Sequence, residues 1–148
     1  MAKERASPAL RREIADRARG CCEYCRSQER FAMQAFSVEH IDPRSRFGAT
    51  IVENLAFACQ GCNNHKYNRT HGTDPATGEA VALFHPRQQR WRDHFAWTVD
   101  GVIVVGVSPT GRATVETLRL NRDGLVNLRR LLFAAGQHPP SEEVEDPG

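Results

Sequence analysis

The stretch of sequence that decides the fold begins with CEYC at positions 22–25 and ends with CQGCNNHK at positions 59–66. Two residues separate the cysteines of each pair, and 33 residues lie between the two pairs. This spacing lets two thiolates of one tight turn face one tetrahedral ion, and two such turns complete a four-sulfur zinc site. We therefore predict a structural Zn²⁺ held by Cys22, Cys25, Cys59 and Cys62.

Two other interpretations of the cysteines stay open at this point. A redox dithiol would need only one pair, and buried unpaired cysteines would need no metal. The fifth cysteine, Cys21, is either a spectator or a replacement for Cys22 in a wider turn. An odd number of cysteines in a reducing compartment favours metal binding over disulfides. A zinc ion would close a loop that a small hydrophobic core could not hold alone.

The sequence between the cysteine pairs contains VEHIDP at positions 38–43 and Asn-Leu at 54–55. Residues 36–41 read as a strand that Pro43 must terminate, because proline cannot donate to a strand ladder. A loop follows, and the short apolar segment 54–59 can pair back on the strand. A helix is predicted to start near residues 61–63 and to run to about residue 69.

This order of motifs resembles the HNH endonuclease family, named for its His-Asn-His motif, over roughly residues 22–69. The resemblance implies an α+β protein with a ββα-metal (His-Me finger) core, here stapled by the four-cysteine site. It also implies hydrolysis of DNA phosphodiester bonds with the help of a divalent cation. In this family the helix that bears the metal ligand lies against the DNA minor groove.

The resemblance assigns roles to individual residues. His40 is the expected general base, because an imidazole can take a proton from water at cellular pH. Glu39 and Asn63 are the expected oxygen ligands of a catalytic Mg²⁺ or Mn²⁺, with His65 as an alternative to Asn63 if the helix starts later. Asn54 is expected to hold the loop and to orient His40. Adjacent strand residues face opposite sides, so Glu39 and His40 share a site only if the strand twists or bulges.

The charge of the chain is unevenly distributed. The net charge is +2, but residues 141–148 carry four acidic side chains and no basic one, so residues 1–140 carry +6. Of the 20 basic residues 18 are arginine, whose planar fork suits phosphate; an arginine-biased composition is the other interpretation. The side chains expected to contact nucleic acid, unless they are only solvated surface, are Arg44, Arg46, Lys66, Arg69, Arg87 and Arg90.

Three segments are predicted along the chain. Residues 1–72 form the nuclease core with an N-terminal helix capped by Ser7, and residues 73–140 form a C-terminal α+β extension of hairpin and helix packed on the core. Residues 141–148 are predicted to be a disordered acidic tail. In the extension we expect a short basic helix over 86–92, a hairpin turning at Asp100-Gly101, an ambiguous segment over 110–120, and an amphipathic helix over about 125–135 that exposes Arg129 and Arg130.

Other features narrow the function classes. No apolar run approaches the ~20 residues that cross a bilayer, and the first twelve residues lack the apolar stretch of a secretory signal. We therefore expect a cytoplasmic protein without a membrane partner. The resemblance to the HNH family implies a DNA partner, which we expect to be double-stranded. A homodimer through the C-terminal helix is left open. A non-catalytic, zinc-dependent nucleic-acid-binding module and an RNA-directed nuclease are the alternative functions.

Overall fold

A computed structural model describes residues 6–140 of the chain, and the predicted acidic tail over 141–148 lies outside the described residues. Within these residues the helices are α1 (Pro8–Arg17), α2 (Gln60–Lys66), α3 (Pro109–Leu118) and α4 (Asp123–Ala134). The strands are β1 (Ser37–His40), β2 (Leu55–Ala58), β3 (His71–Thr73), β4 (Ala80–Ala82), β5 (Phe95–Trp97) and β6 (Val104–Gly106). They form three antiparallel pairs, β1–β2, β3–β4 and β5–β6.

The β1–β2 pair followed by α2 forms the centre of the predicted core. The two strands pair in regular register from Ser37 opposite Ala58 to His40 opposite Leu55, and all four β2 residues are buried. Cys59 caps α2, because its sulfur accepts a hydrogen bond from the backbone N–H of Cys62. The α+β fold with a ββα unit beside a four-cysteine cluster is therefore confirmed.

Helix α1 closes one side of this unit. The Ser7 hydroxyl caps it by accepting from the Leu10 N–H at 3.1 Å, and Pro8 occupies its first turn as the sequence predicts. Near its end, Arg17 donates to the backbone oxygens of Val52 at 2.9 Å and Leu55 at 2.6 Å. The helix thereby fixes the point at which the loop before β2 becomes a strand.

The extension contains the predicted hairpin and two helices. Strands β5 and β6 pair around a turn containing Gly101, whose φ of +69° lies in the left-handed region that glycine tolerates best. The ambiguous segment over 110–120 is helical, because the Ser108 hydroxyl caps the N–H of Gly111 at 2.9 Å. Ala113 and Leu118 then face the core. The helix predicted near residues 125–135 is α4.

The predicted basic helix over residues 86–92 is wrong. The segment forms a turn followed by one turn of 3₁₀-helix over Trp91–Asp93. The Gln89 side chain accepts from the backbone N–H of His85 at 2.9 Å, and the His85 ring accepts from the N–H of Arg87 at 3.2 Å. These local bonds from side chain to backbone compete with helical hydrogen bonds, and Trp91 is drawn into the core.

One hydrophobic core joins the two predicted segments. The Trp91 indole donates to the backbone oxygen of Tyr24 at 2.8 Å, which ties the extension to the first cysteine pair. Arg129, expected at an exposed basic edge, is instead buried and donates to the backbone oxygens of Leu120 at 2.6 Å and Val102 at 3.1 Å. Across residues 6–140 no helix has both the length and the apolar character needed to cross a bilayer.

A buried histidine gives this fold a pH dependence. His138 packs edge-on against Trp97, with ring centroids 4.5 Å apart, and its Nε2 donates to the backbone oxygen of Gly101 at 2.8 Å. Burial lowers the pKa of His138 below its ordinary value of 6.5, although the Gly101 hydrogen bond opposes this shift; Arg129 lowers the pKa further. Neutral His138 therefore contributes fully above pH 6.5, and its contribution is lost as the pH falls through the folded pKa.

We expect the melting temperature of the parent protein to fall more steeply than that of His138→Gln between pH 6.5 and about pH 5. The glutamine amide can still donate to Gly101 but does not titrate. Thermal melts of both proteins in the same buffers, with zinc present, measure the difference. Parallel curves over this range would show that His138 is not the responsible group.

Candidate functional site

The four cysteines of the two pairs converge on one point. Cys22, Cys25, Cys59 and Cys62 are buried, and their sulfurs all lie within 4.8 Å of one another. The Cys25 and Cys59 sulfurs are 3.7 Å apart. Zn–S bonds of about 2.3 Å in a tetrahedron place neighbouring sulfurs about 3.8 Å apart. The cluster therefore has the ligands and spacing of a closed structural zinc site, as the sequence predicts.

Cys21 lies outside this cluster. Its thiol is buried and lies 3.7 Å from the backbone oxygen of Arg19, so the interpretation of Cys21 as a spectator is the one that the structure favours. All five cysteines are free thiols within the structure, which contains no disulfide among residues 6–140. Burial raises the pKa of the Cys22 thiol well above its usual value, and a bound cation would supply the charge that four clustered thiolates require.

Arg122 is a neighbour of the cysteine cluster that the sequence did not reveal. Its Nη2 lies 3.4 Å from the Cys59 sulfur and 3.7 Å from the Cys62 sulfur. Burial acts to lower the pKa of Arg122, but the sulfurs of Cys62 and Cys25 raise it overall. The guanidinium therefore lies where it offsets part of the negative charge of a metal-bound thiolate cluster.

Gly61 provides the space that Arg122 occupies. A Cβ atom on Gly61 would lie 2.4 Å from Nη2 and 2.8 Å from Cζ of Arg122, closer than such contacts allow. The glycine of the CQGC turn thus lets an arginine from the extension reach the two sulfurs. Because Arg122 lies just before α4, this contact joins the extension directly to the predicted zinc site.

We expect Arg122→Ala to weaken zinc binding by about 10- to 100-fold, the usual effect of removing a group that supports metal ligands. Gly61→Ala should act in the same direction, since its methyl group would displace the guanidinium. Competition with a zinc chelator measures the affinity. Arg130→Ala is the matched control, because Arg130 is exposed on α4 and carries the same charge. Equal zinc affinities in the Arg122 and Arg130 variants would contradict this role.

The expected metal ligand Glu39 is engaged within the core. Its side chain is only 6% exposed; Oε1 accepts a hydrogen bond from the Tyr24 hydroxyl, and Oε2 lies 3.2 Å from the Lys66 ammonium. Lys66 also donates to the backbone oxygen of Ile41 at 2.9 Å. Burial raises the pKa of Glu39, and Lys66 and Tyr24 oppose that shift. Both carboxylate oxygens therefore already have partners.

The regular β1–β2 register also separates Glu39 from His40. No bulge interrupts the pairing of these two residues with Ala56 and Leu55, so their side chains leave opposite faces of β1. Asn63 lies half-buried on α2, one turn before Lys66. A cation at Glu39 would meet the Lys66 ammonium, and the residues as placed do not fit the predicted divalent-cation site.

The alternative ligand His65 lies on another side of α2. Burial lowers the pKa of His65, and the charges of Arg122 and Arg119 lower it further. His65 directly precedes Lys66, so the two side chains leave α2 about 100° apart around the helix axis. The structure therefore does not bring His65 together with Glu39.

We expect Lys66→Met to cost about 3–5 kcal/mol of unfolding free energy, because it leaves the buried Glu39 carboxylate without its cation. The double variant with Glu39→Gln should recover much of this loss, since no buried charge then remains. Denaturant unfolding in zinc-containing buffer measures both. A single variant as stable as the parent would contradict the pairing.

His40 lies at the end of β1, where it is half-exposed. Its Nε2 lies 2.8 Å from the Thr50 hydroxyl, and this bond fixes the ring orientation. If Thr50 donates to Nε2, the ring proton is on Nδ1; if Nε2 donates, the proton acceptor is Nδ1. The imidazole thus belongs to the surface of the loop after β1, away from the Glu39–Lys66 pair.

Asn54 fixes this loop. Its Oδ1 accepts from the N–H of Asp42 at 2.8 Å, and its Nδ2 donates to the backbone oxygens of Asp42 at 3.0 Å and Ala49 at 2.8 Å. These three bonds hold the two ends of the segment between β1 and β2 together. Thr50, the partner of His40, follows Ala49 directly, so Asn54 positions the residue that orients the imidazole.

The residues expected to contact nucleic acid divide into two groups. Arg44, Arg46, Arg69 and Arg90 are exposed. Lys66 is 1% exposed and pairs with Glu39, so the charge that was expected to contact phosphate does not face solvent. Arg87 forms an ion pair with buried Glu23, with its side chain only 12% exposed, and it too does not present its charge to solvent. Both cations are neutralised by an acid buried beside them.

Comparison with known proteins gives one match. Residues 22–69, about a third of the chain, match the family described as HNH endonuclease. The matched segment begins at the first cysteine of the cluster and ends three residues after α2. No curated protein and no solved structure matches the chain significantly.

Proposed function

From the premise that residues 22–69 belong to the HNH endonuclease family, we propose that the protein is an endonuclease that hydrolyses phosphodiester bonds of double-stranded DNA. The observation that carries the proposal is the placement of His40 within this segment. The imidazole is half-exposed at the end of β1, it is oriented by Thr50, and a loop pinned by Asn54 surrounds it. A general base needs this combination of access and fixed orientation.

In the proposed reaction His40 takes the proton of an attacking water molecule. The water oxygen forms a bond to phosphorus, the bond between phosphorus and the sugar oxygen breaks, and the departing oxygen takes a proton from solvent. Thr50 holds the ring during this transfer, and Asn54 holds Thr50 in place through the backbone of Ala49. Positioning of this kind supplies part of the rate enhancement because the reacting groups need not search for their orientation.

The proposal includes a divalent cation, Mg²⁺ or Mn²⁺. Such an ion, when bound, supplies positive charge to the phosphate oxygens. Asn63 is the better candidate ligand, because its amide is half-exposed on α2. Glu39 would become a ligand only if its carboxylate lost its contacts with Lys66 and Tyr24.

The exposed arginines are the proposed phosphate contacts. Arg44 and Arg46 lie on the loop after β1, Arg69 follows α2, and Arg90 precedes the 3₁₀ turn of the extension. Residues 1–140 carry a net charge of +6, which favours a polyanionic partner. Replacing one such arginine by alanine should reduce the salt dependence of DNA binding by about one phosphate contact.

The second candidate function is a zinc-dependent nucleic-acid-binding module without catalysis. The observation that favours it is that both carboxylate oxygens of Glu39, the expected cation ligand, are already bound by Lys66 and Tyr24. An RNA-directed nuclease is the third candidate function, because phosphate contacts do not distinguish ribose from deoxyribose.

Incubation of zinc-loaded protein with labelled DNA duplex, single-stranded DNA and RNA distinguishes these functions. We expect cleavage of the duplex with Mg²⁺ or Mn²⁺ and none when both cations are omitted. Binding of the duplex without cleavage under any metal would favour the module. Preferential cleavage of RNA would favour the RNA-directed nuclease.

The setting we propose is the cytoplasm, where thiols such as these five free cysteines stay reduced. A homodimer through α4 also stays a proposal. Leu131 and Phe133 are exposed on that helix, which supports it. Sedimentation of the full chain at several concentrations tests it.

A further inference from the structure

Phe47 combines an exposed aromatic ring with a backbone conformation that favours glycine. Its side chain is 98% exposed, and its φ of +67° and ψ of +20° place it in the left-handed region. A bulky residue at such angles is strained because its Cβ approaches the carbonyl oxygen. Packing against the described part of the chain does not offset this strain. The backbone conformation at Phe47 therefore lowers the stability of the protein, while the phenyl ring stays exposed to solvent.

Tyr67 repeats this combination on a neighbouring loop. It follows α2 directly with a φ of +51°, and its side chain is 75% exposed. The two loops are tied together, since Arg46 Nε donates to the backbone oxygen of Asn68 at 3.1 Å. Two strained, exposed aromatic residues are thus carried by adjoining segments of the surface.

A cleft of about 470 Å³ adjoins Phe47. The loop after β1 forms one wall, and Thr70, His71, His85 and Gln88 form the other. Asn54, which pins the loop that also carries Thr50, lines the cleft as well. Phe47 therefore lies on the same rigid loop as the residue that orients His40.

Three arginines surround this surface, together with two acidic residues, Asp42 and Glu53, that line the cleft. Arg46 lies beside Phe47 and lines the cleft, and the exposed Arg44 and Arg69 adjoin the two loops. Aromatic rings between arginines suit a strand whose phosphates meet the cations while its bases stack on the rings. Phe47, Tyr67 and the proposed general base His40 all lie within residues 22–69, the region that the family model matches.

We propose that Phe47, at the mouth of this cleft, and Tyr67, on the adjoining loop, are base-stacking side chains that engage bases of the bound DNA. The inference rests on the proposed function, because it names how the same site holds its substrate. Phe47, on the loop that Asn54 pins, would insert at a base step of the duplex. Apolar side chains that insert in this way unstack bases and fix the register of the duplex.

The variant Phe47→Gly tests the proposal because it separates stability from binding. Glycine adopts the left-handed conformation without strain, so the melting temperature should stay the same or rise. Loss of the ring should weaken binding to a DNA duplex by about 5- to 150-fold, measured by anisotropy on the zinc-loaded protein without added Mg²⁺ or Mn²⁺. The salt dependence of binding should be unchanged, because no phosphate contact is removed. Phe47→Tyr should restore the affinity.

A second readout follows stacking directly. A duplex carrying 2-aminopurine should change its fluorescence on binding the parent protein and Phe47→Tyr, and it should not do so with Phe47→Gly. Val99→Ala is the control, because Val99 is fully exposed on the β5–β6 turn. This substitution removes exposed apolar surface away from the cleft. Its affinity should equal that of the parent.

The outcomes separate this inference from the proposed function. If the parent protein cleaves DNA and Phe47→Gly binds it equally well, the stacking proposal is overturned and the nuclease stands. A lower melting temperature for Phe47→Gly would also overturn it, since the ring would then be structural. If the parent neither binds nor cleaves DNA, both proposals fail.

Discussion

Removal of zinc should unfold the whole protein. The four sulfurs of the cluster join the turn after α1 to the start of α2 across 33 residues. Structural zinc sites contribute about 10–16 kcal/mol of binding free energy, while whole domains have only about 5–15 kcal/mol of stability. The extension should unfold with the core, because Trp91 donates to Tyr24 and Arg122 contacts the sulfurs.

This expectation is measured by circular dichroism and tryptophan fluorescence after chelation, together with the zinc content of the protein. The variant Cys59→Ser should lose zinc and show no cooperative melt. Cys21→Ser is the matched control, since Cys21 is buried but lies outside the cluster. A chelated protein that keeps its melting transition, or a Cys21 variant that loses its zinc, would contradict the assignment.

His40→Ala should reduce DNA cleavage by about 100- to 10,000-fold, the usual contribution of a general base. The protein should keep its fold, because His40 is half-exposed and its hydrogen bond to Thr50 lies at the surface of a loop that Asn54 pins independently. Duplex affinity should also stay close to that of the parent, since no phosphate contact is removed.

The companion variant Thr50→Val isolates the orientation of the ring. It keeps the imidazole but removes the hydroxyl 2.8 Å from Nε2, so the loss of rate should be smaller than in His40→Ala. Single-turnover rates at saturating DNA and affinities measured without added Mg²⁺ or Mn²⁺ separate catalysis from binding. A His40 variant that loses affinity in proportion to rate would argue for a binding role.

The parts of the fold that the sequence predicts are those in which local chemistry decides the structure. The spacing of the two cysteine pairs predicts that their sulfurs converge, because one tetrahedral ion binds four sulfurs at fixed distances. Ser7 and Pro8 predict the start of α1, and the Asp100-Gly101 turn predicts the β5–β6 hairpin. For the start of α1 and the hairpin, the signal and the structure it determines lie within a few residues.

The segments that the sequence misses depend on distant partners. The helix over Pro109–Leu118 was ambiguous because Val115 and Thr117 are β-branched, and burial of Ala113 and Leu118 decides for the helix. The turn over residues 86–88 is held by the Gln89 and His85 side chains, and the Trp91 that follows it is drawn toward Tyr24, a residue far away in the chain.

The candidate site shows the same division. His40 and Asn54 lie where the motif order places them, and Asn54 holds the loop as expected. The charges of Lys66 and Arg87 do not face solvent, because each forms an ion pair with a buried acidic residue. The sequence could not show that these acidic residues are near. Arg122 reaches the cysteine cluster from some 60 residues away, through the space that Gly61 leaves.

The most direct test of the central claim, that this zinc-clamped segment carries a phosphodiester-cleaving site, is a time course of supercoiled-plasmid cleavage. The zinc-loaded parent protein and His40→Ala are compared at equal zinc content, with Mg²⁺ or Mn²⁺ present. The account predicts nicking or linearisation by the parent and at least a 100-fold slower reaction for the variant. No cleavage by the parent with either cation, or equal cleavage by the two proteins, would contradict it.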